Sequence, residues 1–145
     1  MHPGAICFIR SMRGLNHGAI MAGRVDLRLG TAQRLPYPDA HFTKACALHT
    51  IHFWSSVETG LRELHRVLAS GGAIVLALRM HRPEAGRFDP SRYGFTAAQI
   101  AAMTATLDAV GFRDIATQRR EFGRETITAV VARRGTQPQS ATLPK

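Results

Sequence analysis

Apolar positions along this chain recur at two spacings, and each predicts an element. Val57, Leu61, Leu64 and Leu68 follow one another at steps of four, three and four, which places them on one face of a helix. Ser55 with Glu58 three residues later forms a capping-box start for that helix. Gly71 stands where a helix closes through a left-handed residue, and Gly72 loosens the turn further. Residues 73–78 are apolar without interruption, the pattern of a strand covered on both faces. A helix feeding such a strand through a short glycine turn is half of a parallel α/β unit. A second series follows. Thr96 with Gln99 opens a helix that carries Ile100, Met103, Leu107 and Val110 on one face, and Gly111 closes it. Residues 112–119 then read as a strand, 121–125 as a turn and 126–133 as a β-branched, apolar last strand.

The N-terminal part is patterned more weakly. Residues 5–9 are apolar enough for a strand, and from Ser11 a helical face appears through Met12, Leu15, Ala19 and Ala22. Gly14 and Gly18 each weaken that helix by up to ~1 kcal/mol relative to Ala, and Gly23 ends it. Val25, Leu27 and Leu29 alternate with Asp26 and Arg28, as in a half-exposed strand near a sheet edge. Gly30-Thr31-Ala32-Gln33 comes next. Open α/β sheets bind ligands beyond the carboxyl ends of their strands, so this turn reads either as a site or as a plain loop. A further strand is predicted over residues 44–48, and residues 79–93, with Pro83, Gly86 and Pro90, read as a loop.

Composition narrows the class. At 145 residues the chain reads as one domain over residues 1–134 with a disordered tail of Pro, Ser, Thr and Gln at 135–145. No apolar run approaches the ~20 residues of a membrane span, and no basic start precedes an apolar segment as in a secretory signal. Cys7 and Cys46 are isolated thiols, which gives no disulfide framework and points to a reducing cytoplasm. The formal charge of +9 raises nucleic acid as a partner, but the basic residues are dispersed. Arg119-Arg120 and Arg133-Arg134 are the only adjacent basic pairs, without interleaved aromatics, which favours a solvated surface. His49 and His52 lie three residues apart near Cys46, three candidate metal ligands with no partner cluster, so no metal is assigned. As imidazoles that titrate near neutrality they are acid/base candidates, with packed histidines as the other reading.

Two motifs then occur in a telling order. Arg66-Val67-Leu68-Ala69-Ser70-Gly71-Gly72 resembles the R-V-L-x-P-G-G turn of class I S-adenosylmethionine-dependent methyltransferases of the small-molecule kind (methyltransferase type 11). Leu35-Pro36-Tyr37-Pro38-Asp39 followed by Phe42 resembles the L-P-F-x-D…F-D segment that precedes that family's fourth strand. The resemblance runs from about residue 24 to residue 133. It implies an α/β, Rossmann-like domain with a mostly parallel sheet, helices on its faces and a C-terminal antiparallel strand pair. It also implies methyl transfer to a small molecule, with S-adenosylmethionine as cofactor. On that resemblance Gly30, Thr31, Ala32 and Gln33 lie near the adenine, and Ala47, Leu48 and Thr50 line the pocket. His49 and His52 are then the catalytic candidates.

This sequence departs from the family in specific places. Thr31 stands where the family carries an acid, and Phe42-Thr43 replaces F-D. No Gly-rich turn occurs before Arg24, and Asp26 is the only acid in the first 38 residues. The expectation is therefore a domain truncated at its N-terminus, lacking the first strand and Gly-rich turn, that binds S-adenosylmethionine weakly or not at all by itself. Either residues 5–9 then fill the vacant slot, or the third and fourth strands move together, or the halves do not close properly, and a partner chain or oligomer is a further way to complete the sheet. A non-catalytic remnant or partner-dependent module, and a basic RNA-binding protein, stand as alternative functions.

Overall fold

The computed structural model describes residues 14–136, and the predicted strand at 5–9, the Ser11 cap, Cys7 and nearly all of the predicted tail lie outside them. The chain divides into two units, residues 1–31 and 32–145. In the first, the described residues include the short helix α1 (His17–Met21), followed by Gly23 at φ +68°. No strand forms over residues 25–29. Val25 and Leu27 are half-buried and Asp26 and Arg28 exposed, but Leu29 is 66% exposed, so the alternation is realised as burial over 25–28 and not at its end. Alternation reports which side chains face inward, whereas a strand also needs a neighbour for its backbone, and the sheet does not include this segment.

The second unit holds a four-stranded sheet. In chain order its elements are β1 (Phe42–Leu48), α2 (Val57–Val67), β2 (Leu68–Arg79), α3 (Ala97–Val110), β3 (Phe112–Phe122) and β4 (Glu125–Arg134). The sheet order is β1-β2-β4-β3. Strands β1 and β2 pair in parallel, with Ala45 opposite Ile74 and Ala47 opposite Leu76, while β4 is antiparallel to both of its neighbours. The expected C-terminal antiparallel pair is present, and the parallel part is the one pair β1/β2. Strand β1 is an edge strand among the described residues, because the strand expected at 25–29 does not join it.

Burial shows which face the helices cover. Along β2, Ile74, Leu76 and Leu78 are fully buried while Ala73, Val75, Ala77 and Arg79 are only half-buried. The buried set meets Leu61 of α2, Ile100, Met103 and Leu107 of α3, and Val130 and Ala132 of β4 in one core. The strand read as covered on both faces is thus covered by helices on one. An uninterrupted apolar run of Ala and Val on the second face tolerates half-burial, which the pattern alone does not separate from full burial.

The helix boundaries are set by chemistry that the sequence displays. Thr96 and Gln99 form the predicted capping box of α3, and Gly111, at φ +113°, ends it. For α2 the cap is Ser56, whose hydroxyl accepts from Thr59 N–H at 3.2 Å, instead of the Ser55–Glu58 box. Nor does Gly71 close α2, which ends at Val67 and passes straight into β2. Gly71, at φ +73°, instead lets residues 69–72 bulge out of the ladder, since Phe42 pairs with Leu68 but Lys44 with Ala73.

Arg66 of the motif has a structural task. Its guanidinium donates to the carbonyls of Leu35 and Tyr37, to Asp39 at 2.6 Å and to Glu63 at 2.7 Å. Glu63 in turn accepts from Leu35 N–H at 2.9 Å. The hydrogen bond from Arg66 is the main reason that Glu63 titrates below its ordinary carboxylate range. These two side chains bind the Leu-Pro-Tyr-Pro-Asp segment onto α2, so the two family motifs are halves of one clamp.

Candidate functional site

The carboxyl ends of β1 and β2 lie side by side, because the two strands are parallel neighbours. Past Leu48 the chain turns sharply. His49 adopts φ +52°, a left-handed conformation that is uncommon for a residue with a side chain, and its N–H donates to Ala77 O at 3.0 Å. A single 3₁₀ turn over Ile51–Phe53 follows, anchored by the fully buried Ile51. Strained backbone at a strand end is a recurring mark of functional sites.

The turn and the loop after β2 together enclose a cavity of about 300 Å³, lined by His49, His52, Phe53, Arg79, Pro90 and Tyr93. That is near the lower end of the size range of small-molecule sites. Phe53 and Tyr93 are 86% and 69% exposed, so the mouth is rimmed by aromatic rings open to solvent. The floor is polar. His49 Nδ1 and Arg79 Nε are both buried without a hydrogen-bond partner among the described residues. Arg79 faces Glu125 at 3.3 Å, an ion pair that lacks hydrogen-bond geometry. Burial chiefly, and then the Arg79 charge, lowers the pKa of His49 below its usual value. The His52 ring lies 4.3 Å from that of Phe95, the buried residue that ends the loop, and is tilted 49° to it.

The loop is held by its own bonds. Asp89 accepts from the N–H and the hydroxyl of Ser91, which lowers the Asp89 pKa, and Ser91 is fully buried beneath the Pro90–Tyr93 turn. Phe95 N–H donates to Arg79 O and His81 N–H to Phe95 O, both at 2.8 Å, joining the end of the loop to its beginning.

Of the residues read from sequence as site residues, the cavity brings together His49 and His52. Ala47, Leu48 and Thr50 are not among its lining. The Ala47 side chain is buried in the core, on the helix-covered face, Leu48 is 57% exposed on the other face, and Thr50 lies exposed at the start of the 3₁₀ turn. The alternation of a strand forbids neighbours such as Ala47 and Leu48 from sharing one pocket wall. Gly30 and Thr31 fall in the first unit and are exposed. Ala32 and Gln33 are half-buried in the second, where Gln33 Nε2 donates to Ser56 O at 3.3 Å. Of the other lining residues, Phe53 falls in the 49–54 stretch that the resemblance puts at the pocket, and Arg79, Pro90 and Tyr93 in the 79–93 loop that it puts at the acceptor site, though the sequence singles out none of the four as a site residue. The available signal was Arg79, the first charge after the apolar run of β2. No helix among the described residues is long and apolar enough to cross a membrane.

Known proteins share both the sequence pattern and the fold. A family described as a methyltransferase domain matches residues 8–76. Ajmaline N-methyltransferase of Rauvolfia serpentina is 31% identical over 74 residues, 51% of this chain and 25% of that protein. Demethylmenaquinone methyltransferase of Deinococcus radiodurans is 35% identical over 83 residues, 56% of this chain and 34% of that protein. The chain thus spans between a quarter and about a third of the curated relatives it matches. Among solved structures, a SAM-dependent methyltransferase from Aquifex aeolicus superposes with a TM-score of 0.61 at 18% identity, over 81% of this chain and 60% of that one. The cyclase SpnF superposes with a TM-score of 0.64 at 19% identity, over 86% and 61%. At such identities, likeness speaks for the fold, and a cyclase on the same fold makes the point. The sequence matches add that residues 8–76, a little under half of the chain, resemble a methyltransferase domain.

Proposed function

We propose that the chain forms the acceptor-binding part of an enzyme that methylates a small molecule, with His49 as the base that takes the acceptor's proton. The observation that carries this reading is the convergence of His49, His52 and Arg79 on one cavity at the carboxyl ends of parallel strands, where α/β folds bind their ligands. His49 suits the task because its lowered pKa leaves the imidazole neutral and able to accept a proton at physiological pH. His52, packed on Phe95, forms a wall and orients the acceptor.

The cavity does not suit the cofactor itself. S-adenosylmethionine, when bound, supplies an electron-poor methyl group on a positively charged sulfur. The charged group of its lining is the Arg79 guanidinium, with no carboxylate in the lining among the described residues, and it repels such a cation. The one early acid, Asp26, is paired with Arg28 at 2.8 Å. The described residues therefore fit the acceptor and leave cofactor binding to other elements. A strand that completed the sheet, from this chain or from a partner, would add along the outer edge of β1, which the described strands leave unpaired.

The test is transfer of labelled methyl from S-adenosylmethionine to a panel of small acceptors by the wild-type chain and His49→Gln, at millimolar cofactor. Transfer is expected to be slow in the wild type and about 10²- to 10⁴-fold slower in the variant. Equal rates in the two proteins, or no transfer to any acceptor, would overturn the reading. Calorimetric titration with S-adenosylmethionine is expected to show weak binding or none; a low-micromolar dissociation constant would mean that this chain holds the cofactor unaided.

A further inference from the structure

A second cavity, of about 240 Å³, lies on the helix-covered face of the sheet, where the start of α3 meets β3 and β4. Met80, Ala97, Ile100, Thr117, Arg119 and Thr128 line it, and none of them lines the cavity at the strand ends. Arg119 of β3 stands directly opposite Thr128 of β4 in the antiparallel ladder, so the two side chains leave the sheet as neighbours on one face. Helix α3 adds Ile100 and, from its first turn, Ala97, whose side chain is too small to fill the space. The lining holds no histidine, lysine or carboxylate, so nothing in it exchanges a proton near neutrality. It can bind, and it has no group for acid/base chemistry.

The floor of this cavity is apolar. Ile100 is buried, and Met80 packs against the core. Thr128 is buried too, and its hydroxyl is turned to Met80, donating to Sδ at 3.0 Å, so it presents its methyl group and not a free donor. Arg119 and Thr117 are exposed and form the mouth. The Arg119 guanidinium makes no hydrogen bond or ion pair among the described residues, and Glu121, two residues on along the same face of β3, is not paired with it. Arg79, Arg82 and Arg113, by contrast, each face a carboxylate. An unpaired fork of N–H donors over an apolar pocket is complementary to one kind of small ligand. A carboxylate matches the fork through two parallel bonds. Inorganic anions would leave the floor unused, and an ammonium group would be repelled.

We propose that this second cavity binds a small monocarboxylate with a compact apolar body, the carboxylate on Arg119 and the body on Met80, Ile100 and the Thr128 methyl group. At about 240 Å³ the space lies just below the ~300 Å³ at which small-molecule sites usually begin, so a single ring or a short branched chain fills it. The site is separate from the acceptor reading above, shares no residue with it and stands or falls without it.

The test needs neither cofactor nor turnover. Benzoate, benzyl alcohol and benzylamine share one ring and differ in charge, and each is titrated into the full chain with the isoleucine methyl groups and backbone amides followed by NMR. Benzoate is expected to shift the Ile100 methyl and the Thr117 amide with a dissociation constant of ~0.1–1 mM, as befits a ligand of so few atoms. Benzyl alcohol should bind about ten-fold more weakly and benzylamine not at all. Arg119→Gln, at an exposed position, should weaken benzoate by about ten-fold, and Arg119→Lys should keep part of the affinity. Arg120→Gln removes the same charge from the neighbouring residue, which points to the other face of β3, and should leave binding within about two-fold of wild type. The wild-type comparison of benzoate with benzyl alcohol requires no variant to fold. The proposal is overturned if Ile100 does not respond to benzoate, if the shifts fall on Phe53 and Tyr93 of the first cavity instead, if benzyl alcohol binds as tightly, or if Arg119→Gln loses no more affinity than Arg120→Gln.

Discussion

Gly94 sits at the end of the loop that walls the cavity, and a single methyl group there should unsettle both fold and site. A Cβ at Gly94 would lie 2.3 Å from the carbonyl carbon of Met80, 2.4 Å from its oxygen and 2.6 Å from His81 N. Ordinary contacts between carbon atoms begin at ~3.5 Å, so the two backbones must part by about 1 Å. They are joined there by Phe95 N–H to Arg79 O and His81 N–H to Phe95 O, each 2.8 Å. Opening by that amount takes both bonds past the ~3.2 Å at which such bonds weaken. Two backbone bonds at about 1 kcal/mol each, with overpacking of about 1–3 kcal/mol, give a loss of roughly 3–5 kcal/mol for Gly94→Ala. In a chain of this length that lowers the melting midpoint by about 10–15 °C. Gly86, in the same loop, is the control, because a Cβ there meets nothing within 4 Å and its φ is not positive. Thermal unfolding followed by circular dichroism compares the two. Gly86→Ala should leave the midpoint nearly unchanged. Equal midpoints for Gly94→Ala and Gly86→Ala would refute the claim that the Met80–Phe95 junction is tightly packed.

Three further outcomes follow from named contacts. His49 and His65 both have pKa values lowered below the usual 6.5, by burial first in each case and then by Arg79 and Arg134 respectively. A histidine with a lowered folded pKa binds its proton more readily when unfolded, so stability should fall as pH drops from about 6.5 through the folded pKa; in urea unfolding between about pH 7 and pH 5, His49→Gln should flatten part of that slope, and an unchanged slope would count against it. Arg66→Gln should loosen the 35–39 segment, seen as faster hydrogen exchange at Leu35 N–H, whose acceptor Glu63 loses its cation; unchanged exchange would mean that the clamp is not what holds the segment. Leu107→Ala, at a fully buried position of α3, should cost about 2–5 kcal/mol in denaturant unfolding, and a loss below ~1 kcal/mol would mean that α3 does not pack as described.

The second unit was legible where local chemistry and tertiary packing agree. Thr96, Gln99 and Gly111 mark both ends of α3, and the apolar positions between them are the ones buried. The β-branched run after Gly123 paired as the closing hairpin, with Gly123 at φ +59° in its turn. Legibility ended where an element depends on a neighbour. Val25 and Leu27 alternate in burial as a strand would, yet residues 25–29 form none, because period-two patterning fixes facing and not pairing. Gly71 shows the same limit at a turn. Its left-handed φ was foreseeable, but whether it would close α2 or bulge β2 depended on β1 drawing Leu68 into the ladder opposite Phe42.

The site was half legible for a related reason. His49 and His52 could be named because an imidazole pair at a strand's carboxyl end is chemically conspicuous wherever the chain then goes. Their neighbours in the cavity come from elsewhere in the sequence: Arg79 from the end of β2 and Pro90 and Tyr93 from the loop beyond it. What brings them to His49 is the parallel register, which sets Leu48 opposite Ala77 and so delivers both strands to the same rim within two residues. In a parallel pair, each strand's first residue beyond its apolar run arrives at one end of the sheet. A charged residue there has no apolar partner to pack against and must find an ion or a ligand. Arg79 Nε faces Glu125 at 3.3 Å without hydrogen-bond geometry, and on the same rim the buried His49 Nδ1 has no hydrogen-bond partner among the described residues. Two adjacent strands that each end in an unsatisfied polar group therefore locate a site more specifically than either ending does alone.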